Sequence, residues 1–240
     1  LAEFLHAVRL WTITLEISVL MAQYPSRDIA RRSFEYRTLG LGFANIGALL
    51  MVLGIPYDSH KGRNLAAVLT AILTGQAYLT SSELARDLGP FSRFTENRDS
   101  MLRVIRNHLR AASGEESKAY EGLHTPPVPI DPHACPEDLL EAARRIWTEL
   151  LEKGMHFGYR NAQVSVIAPT GTIGLVMDCD TTGIEPDYAL VKFKTLAGGG
   201  VFKIINQSVP QALRRLGYSD DEIREIIAYA QGHGTLHGAP

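Results

Sequence analysis

The chain has 240 residues, of which 45% are apolar and 21% charged, with a formal net charge of -2 and two cysteines. That balance is typical of a soluble protein with a real core, and so little net charge predicts no general attraction to nucleic acid or anionic lipid. Cys135 and Cys179 form neither a disulfide framework nor a zinc spacing, which suits a reducing cytoplasm.

Residues 1–22 read as a helix that is apolar on most sides. Its run from Leu10 to Met21 is too short to span a bilayer and carries Glu16 in its middle, so a buried core helix is expected. No signal peptide is visible. Leu1 opens inside this helix and Pro240 follows a glycine-rich turn, so both ends look like cuts through a longer protein. Ser26 is expected to cap a second helix reaching Tyr36, with Arg27, Arg31 and Arg32 on a solvated face.

From Arg37 to Gly47 the pattern suggests a strand, a glycine turn and a helix running to about Leu53. It resembles a dinucleotide fingerprint, but Asn45 stands where G-x-G-x-x-G needs its third glycine. Close packing of a strand against its following helix explains these glycines better. Asp58 or Ser59 is expected to cap a long helix ended by Gly89-Pro90. Asn97 is expected to cap the next, to about Ala112. Its Arg98, Arg103, Arg106 and Arg110 read as a solvated face rather than a nucleotide-binding one, and His108 as a packed histidine.

Residues 113–136 form a Pro/Gly-rich irregular connection with polyproline character, ending near the spectator Cys135. Glu137 to Phe157 is an amphipathic helix closed by Gly158. The apolar run Val164 to Ala168 reads as a short buried strand, closed by Pro169. Thr170 to Gly174 then turns into a helix start, with Thr170 or Thr172 as its cap. Such a turn offers unpaired N–H groups to an anion, and its glycines let a phosphate come close.

Asp178, Asp180, Glu185 and Asp187 follow within ten residues. They allow a metal or acid/base role, but they match no metal motif and fit ordinary acidic turns. Gly198 to Gly200 is a turn. A helix from Ser208 to Leu216 and another opening on the capping box Ser219-x-x-Glu222 are expected. His233 and His237 make only a weak metal signal.

At Arg160-Asn161-Ala162, Ala168-Pro169-Thr170-Gly171-Thr172-Ile173 and Thr182-Gly183-Ile184-Glu185-Pro186, the sequence resembles ribonucleotide reductase large chains. The string Met177 to Lys194, with Lys203 to Pro210 and Arg37 to Gly42, resembles the adenosylcobalamin-dependent (class II) branch. The resemblance implies an α/β fold: the whole of 1–240 as one partial domain, the later and helix-rich part of a ten-stranded α/β barrel. It implies that Pro169, Thr170, Gly171, Thr172 and Ile173 hold the substrate diphosphate through backbone amides. It implies a ribonucleoside diphosphate substrate, adenosylcobalamin in the full-length protein, a thioredoxin-type or dithiol reductant, a homodimer and a cytoplasmic location, with neither nucleic acid nor membrane as partner. The radical cysteine, asparagine and glutamate of that family are expected upstream, since no Asn-x-Cys-x-Glu occurs here, so no catalytic residue and no metal ligand is assigned. The other readings are a class I large chain and, if 1–240 were a whole protein, a non-catalytic nucleotide-binding module.

Overall fold

The computed structural model describes residues 1–195 and 198–240. It is rich in helix, and its chain contacts divide it into two units. The first comprises Leu1–Gly42 and Asn64–Ile167; the second comprises Phe43–Arg63 and Ala168–Pro240.

In the first unit, α1 (Ala2–Met21) is followed by α2 (Arg27–Tyr36), which Ser26 caps by accepting the Ile29 N–H at 3.3 Å. α4 (His60–Leu88), which belongs to this unit from Asn64 onward, spans about 43 Å at the helical rise. Gly89 ends it, as expected. α5 (Phe94–Ser113) starts three residues before Asn97, whose amide donates to Arg93 O instead of capping. The stretch 113–136 holds one 3-10 turn, Ser117–Ala119. α6 (Glu137–Phe157) follows.

The core of this unit forms where α6 meets α4. Trp147 is almost fully buried and donates its indole N–H to Ala71 O at 2.9 Å. Gly75 makes room for it: a Cβ there would lie 2.9 Å from Ile146 and 3.0 Å from the indole nitrogen. A mid-helix glycine costs helix propensity, and here the packing explains it. Tyr159 uses a second gap, its ring over Gly154 and its hydroxyl donating to Leu150 O. His108 stacks on Trp147 with ring centroids 5.1 Å apart, the packed role expected of it.

Two segments of this unit run side by side and parallel. Leu39 N–H donates to Gln163 O, Leu41 N–H to Val164 O, and Val166 N–H to Leu41 O, all within 3.0 Å. The strands expected after Arg37 and at 164–168 are not formed as such: the two segments run side by side with a single bridge, at Leu41 and Ser165, so the α/β character expected of the chain is not shown by the described residues. Val164 is fully buried, while Val166 and Ile167 keep 45% and 40% of their surface exposed.

In the second unit, α3 (Ile46–Val52) packs against α8 (Ser208–Leu216), and α9 (Asp220–His233) opens on the expected capping box. α7 (Thr172–Val176) is a single short helix. An antiparallel hairpin of β1 (Val191–Thr195) and β2 (Val201–Ile205) pairs Val191 with Ile205. Sequence periodicity gave no warning of it. Among the described residues the only other strand pairing is the Leu41–Ser165 bridge.

By length and composition α1 and α4 could each cross a membrane, but 72% of α4's apolar window is buried within the fold. α1 is not the buried core helix expected: only 17% of its apolar window is buried, and its buried residues are Val8, Thr12 and Glu16. Glu16 was legible only as a blemish in an apolar run, yet it is a hub. Its carboxylate takes Arg37 at 2.6 Å, Arg160 Nε at 2.7 Å and the Asn161 amide at 2.6 Å. Asn161 is fully buried and saturated, donating also to Arg37 O while its carbonyl oxygen accepts from Ser81.

Candidate functional site

The segment Pro169-Thr170-Gly171-Thr172-Ile173 lies on the second unit, mostly exposed. Neither threonine caps α7. Gly171 is the N-cap residue, with φ 49° and ψ -120° and no side-chain bond. Thr170 has a left-handed backbone, φ 58°, and its hydroxyl oxygen accepts the Gly183 N–H at 3.0 Å. That bond staples the loop to the Thr181-to-Pro186 turn. Gly174 tightens the same junction, because a Cβ there would lie 2.9 Å from the Thr170 hydroxyl and 3.2 Å from Thr182.

The turn is held from its other side as well. Thr181 N–H donates to Asn45 Oδ1 at 3.1 Å, and the Thr181 hydroxyl accepts the Ala48 N–H at 3.1 Å. Tyr57 donates its hydroxyl to Ile184 O at 2.8 Å. Gly47 sits against this turn, 2.7 Å from Glu185 O to a built Cβ. In the first unit, a Cβ on Gly42 would lie 2.2 Å from Val166 O. Packing, not nucleotide phosphate, explains Gly42 and Gly47 in the stretch with the misleading fingerprint.

The loop's hydrogen-bond inventory bears on an anion. Gly171 N–H bonds Pro169 O, Ile173 N–H bonds Thr170 O, and Gly174 N–H bonds Gly171 O. Among the described residues, the N–H groups of Thr170 and Thr172 have no acceptor. A Cβ added at Gly171 would meet nothing within 4 Å, so its face of the loop is open. Exposed donors flanking an open glycine are what an anionic group needs.

The neighbouring carboxylates are used structurally. Asp180 accepts the Gln207 N–H at 2.8 Å and the Ser208 hydroxyl at 3.2 Å. Asp187 pairs with Lys192 at 2.7 Å and accepts from Asn206. Asp178 and Glu185 are exposed. Among the described residues no group of three or more His, Cys, Asp or Glu is placed to hold a metal. His233 stacks on Tyr229, its Nδ1 3.0 Å from Tyr229 O. Burial pushes both thiols up, with Asp138 adding to the effect at Cys135 and Asp178 and Asp180 at Cys179. Neither is a poised thiolate. Arg106 and Arg110, read as solvated, are engaged by Glu121 at 2.6 Å each.

Residues 1–240 match the family model described as the ribonucleotide reductase barrel domain. The chain is 65% identical, over its whole length, to a vitamin B12-dependent ribonucleotide reductase of Agrobacterium fabrum, and 46% identical over 99% of its length to one of Rhodopirellula baltica. It is 27% identical, over 92% of its length, to a ribonucleoside-diphosphate reductase subunit alpha of Chlamydia pneumoniae. It spans 19%, 21% and 20% of those three proteins, about a fifth of each.

Proposed function

Because the chain belongs to the ribonucleotide reductase family, as part of its barrel domain, we propose that the full-length protein converts ribonucleoside diphosphates to 2′-deoxyribonucleoside diphosphates. Pro169, Thr170, Gly171, Thr172 and Ile173 hold the substrate diphosphate. The carrying observation is the pair of unengaged N–H groups at Thr170 and Thr172, either side of the open face of Gly171. The segments at 37–42 and 164–168 then belong to two neighbouring strands of the ten-stranded α/β barrel. Residues 1–240 form one partial domain of it, with 113–136 a connection within that domain.

The radical source in this reading is adenosylcobalamin, supported by the 65% and 46% identities to reductases named as vitamin B12-dependent. The match to a subunit-named reductase is far weaker, so the class I reading is secondary. Among the described residues no group of three or more His, Cys, Asp or Glu could hold a metal, and none is assigned to the corrin. No chemical step is therefore routed through the cofactor. A thioredoxin-type or dithiol reductant, a homodimer and a cytoplasmic setting complete the reading.

The test uses the full-length protein with adenosylcobalamin, a dithiol and cytidine diphosphate. Deoxycytidine diphosphate should form, and Gly171→Val should raise KM about ten-fold or more, the loss of one or two charge-assisted hydrogen bonds. Failure to form product with the cofactor present sinks the activity. Unchanged KM in an active Gly171→Val protein sinks the loop assignment.

A further inference from the structure

Asn45, just before α3, makes an unusual choice of partner. Its backbone is left-handed, φ 73°, and its side chain makes no bond to the helix it opens. An asparagine in that position ordinarily accepts an N–H of the first turn. Here the Asn45 Oδ1 accepts the Thr181 N–H at 3.1 Å instead, and the Thr181 hydroxyl accepts the Ala48 N–H at 3.1 Å in its place. Each residue supplies what the other's backbone lacks, as in a capping box, but across 136 residues of sequence. Thr181 is buried, so water is no alternative partner for it. Gly47 leaves room for the pair, since a Cβ there would lie 2.9 Å from the Thr181 methyl group.

From Thr181 the chain reaches the loop at once. Gly183 donates its N–H to the Thr170 hydroxyl at 3.0 Å, and a Cβ on Gly183 would lie 2.7 Å from Ala168 O, so turn and loop are in direct contact. Thr170 needs that support. A left-handed backbone, φ 58°, is an outlier for a β-branched residue. Such a conformation persists only where its surroundings over-determine it. The same backbone sets where the unengaged N–H groups of Thr170 and Thr172 point. If the clamp on Thr181 loosens, Thr170 relaxes toward an ordinary conformation and the two donors no longer converge.

We propose that Asn45 and Thr181 are positioning residues for the substrate diphosphate. They act through the Thr181-to-Pro186 turn, which holds Thr170 in the conformation that presents both N–H groups. The inference rests on the assignment of Pro169 to Ile173 to the diphosphate, and adds two residues outside that loop. A loop held in its binding form only part of the time binds more weakly by that fraction. The clamp therefore acts on substrate affinity and not on the chemical step.

The experiment follows deoxycytidine diphosphate formation by the full-length protein, with adenosylcobalamin and a dithiol, over a range of cytidine diphosphate. Asn45→Gly tolerates the left-handed backbone and removes the acceptor. It should raise KM about three- to ten-fold and leave kcat within about two-fold. Thr181→Val should act in the same direction, and Thr181→Ser, which keeps the hydroxyl, should restore KM to within about two-fold of wild type. In a Gly171→Val background, Asn45→Gly should change KM by less than about two-fold, because both act through one loop. If Asn45→Gly does not fold, the two Thr181 variants carry the same test. A fall in kcat with KM unchanged makes the clamp merely structural and overturns the proposal. So does an Asn45→Gly effect that persists in full beside Gly171→Val, or a Thr181→Ser protein as impaired as Thr181→Val. Raised KM in Gly171→Val with unchanged KM in Asn45→Gly and Thr181→Val overturns the positioning role alone. Unchanged KM in Gly171→Val overturns the loop assignment and this proposal with it.

Discussion

The carboxylate of Glu16 and the guanidinium of Arg37 meet at 2.6 Å, with side chains only 6% and 2% exposed. Arg160 shares the same carboxylate oxygen, and Asn161 occupies the other. One acid thus serves two arginines and an amide, and joins α1 to both parallel segments. Breaking a buried pair by removing one partner leaves an uncompensated charge. Glu16→Gln should destabilise the protein by about 3–5 kcal/mol, measured by urea unfolding of the full-length protein. A loss below about 1 kcal/mol contradicts the hub role, since that is the worth of an exposed pair.

Gly154 has no space for a side chain: a Cβ would lie 1.9 Å from the Tyr159 hydroxyl and 2.2 Å from its ring. Glycine to alanine in a helix normally gains about 0.5–1 kcal/mol. Here Gly154→Ala should instead cost about 1–3 kcal/mol through overpacking. Tyr159→Phe should fail to rescue it, because the ring carbon remains in the way. A neutral Gly154→Ala in thermal unfolding would show that the ring is not held where the structure has it.

Thr170→Val keeps the shape of the loop residue and removes the acceptor for the buried Gly183 N–H. An unsatisfied buried donor costs about 1–3 kcal/mol. Because Thr170 belongs to the proposed diphosphate loop, the substitution should raise KM more than it lowers kcat. Thr170→Ser, which retains the hydroxyl, should restore most of the affinity. If Thr170→Ser is as impaired as Thr170→Val, the hydroxyl is not the staple.

Glu121 is held by hydrogen bonds from Arg106 first and Arg110 second, which pull its carboxyl from the usual range down to about 2. A depressed carboxyl contributes stability that is present above its unfolded pKa and is lost as pH falls toward about 2. Glu121→Gln should therefore lower the thermal midpoint at pH 7 and make it less sensitive to acid between pH 5 and pH 2. The side chain keeps about a third of its surface in solvent, so the difference is small and screened by salt. Parallel midpoint-versus-pH curves for the two proteins would argue against the Arg106–Glu121–Arg110 cluster in solution.

The helices were legible because their signals are local. Apolar spacing, Ser26, the Ser219–Glu222 box and the stops at Gly89 and Gly217 each act within one turn. The loop was legible as a Thr/Gly turn after an apolar run, but its cap was misassigned. The Thr170 hydroxyl prefers a backbone N–H 13 residues away to the helix start beside it. The four carboxylates looked like a site because spacing cannot tell a ligand from a strut; Asp180 and Asp187 anchor the hairpin and the start of α8. Asn97 failed as a cap because Phe91 and Phe94, buried together in an edge-to-face contact, start α5 earlier.

Composition, periodicity and motif strings in this sequence were sufficient for its helices, for the open glycine turn at Pro169 to Ile173 and for its family. They act through neighbouring residues, and neighbours are what a sequence displays. Tertiary structure alone decided the Glu16 hub, whose partners lie 21, 144 and 145 residues away. That arrangement comes from packing distant segments together, where burial makes a charge costly unless it is matched. No local pattern records which partner will arrive.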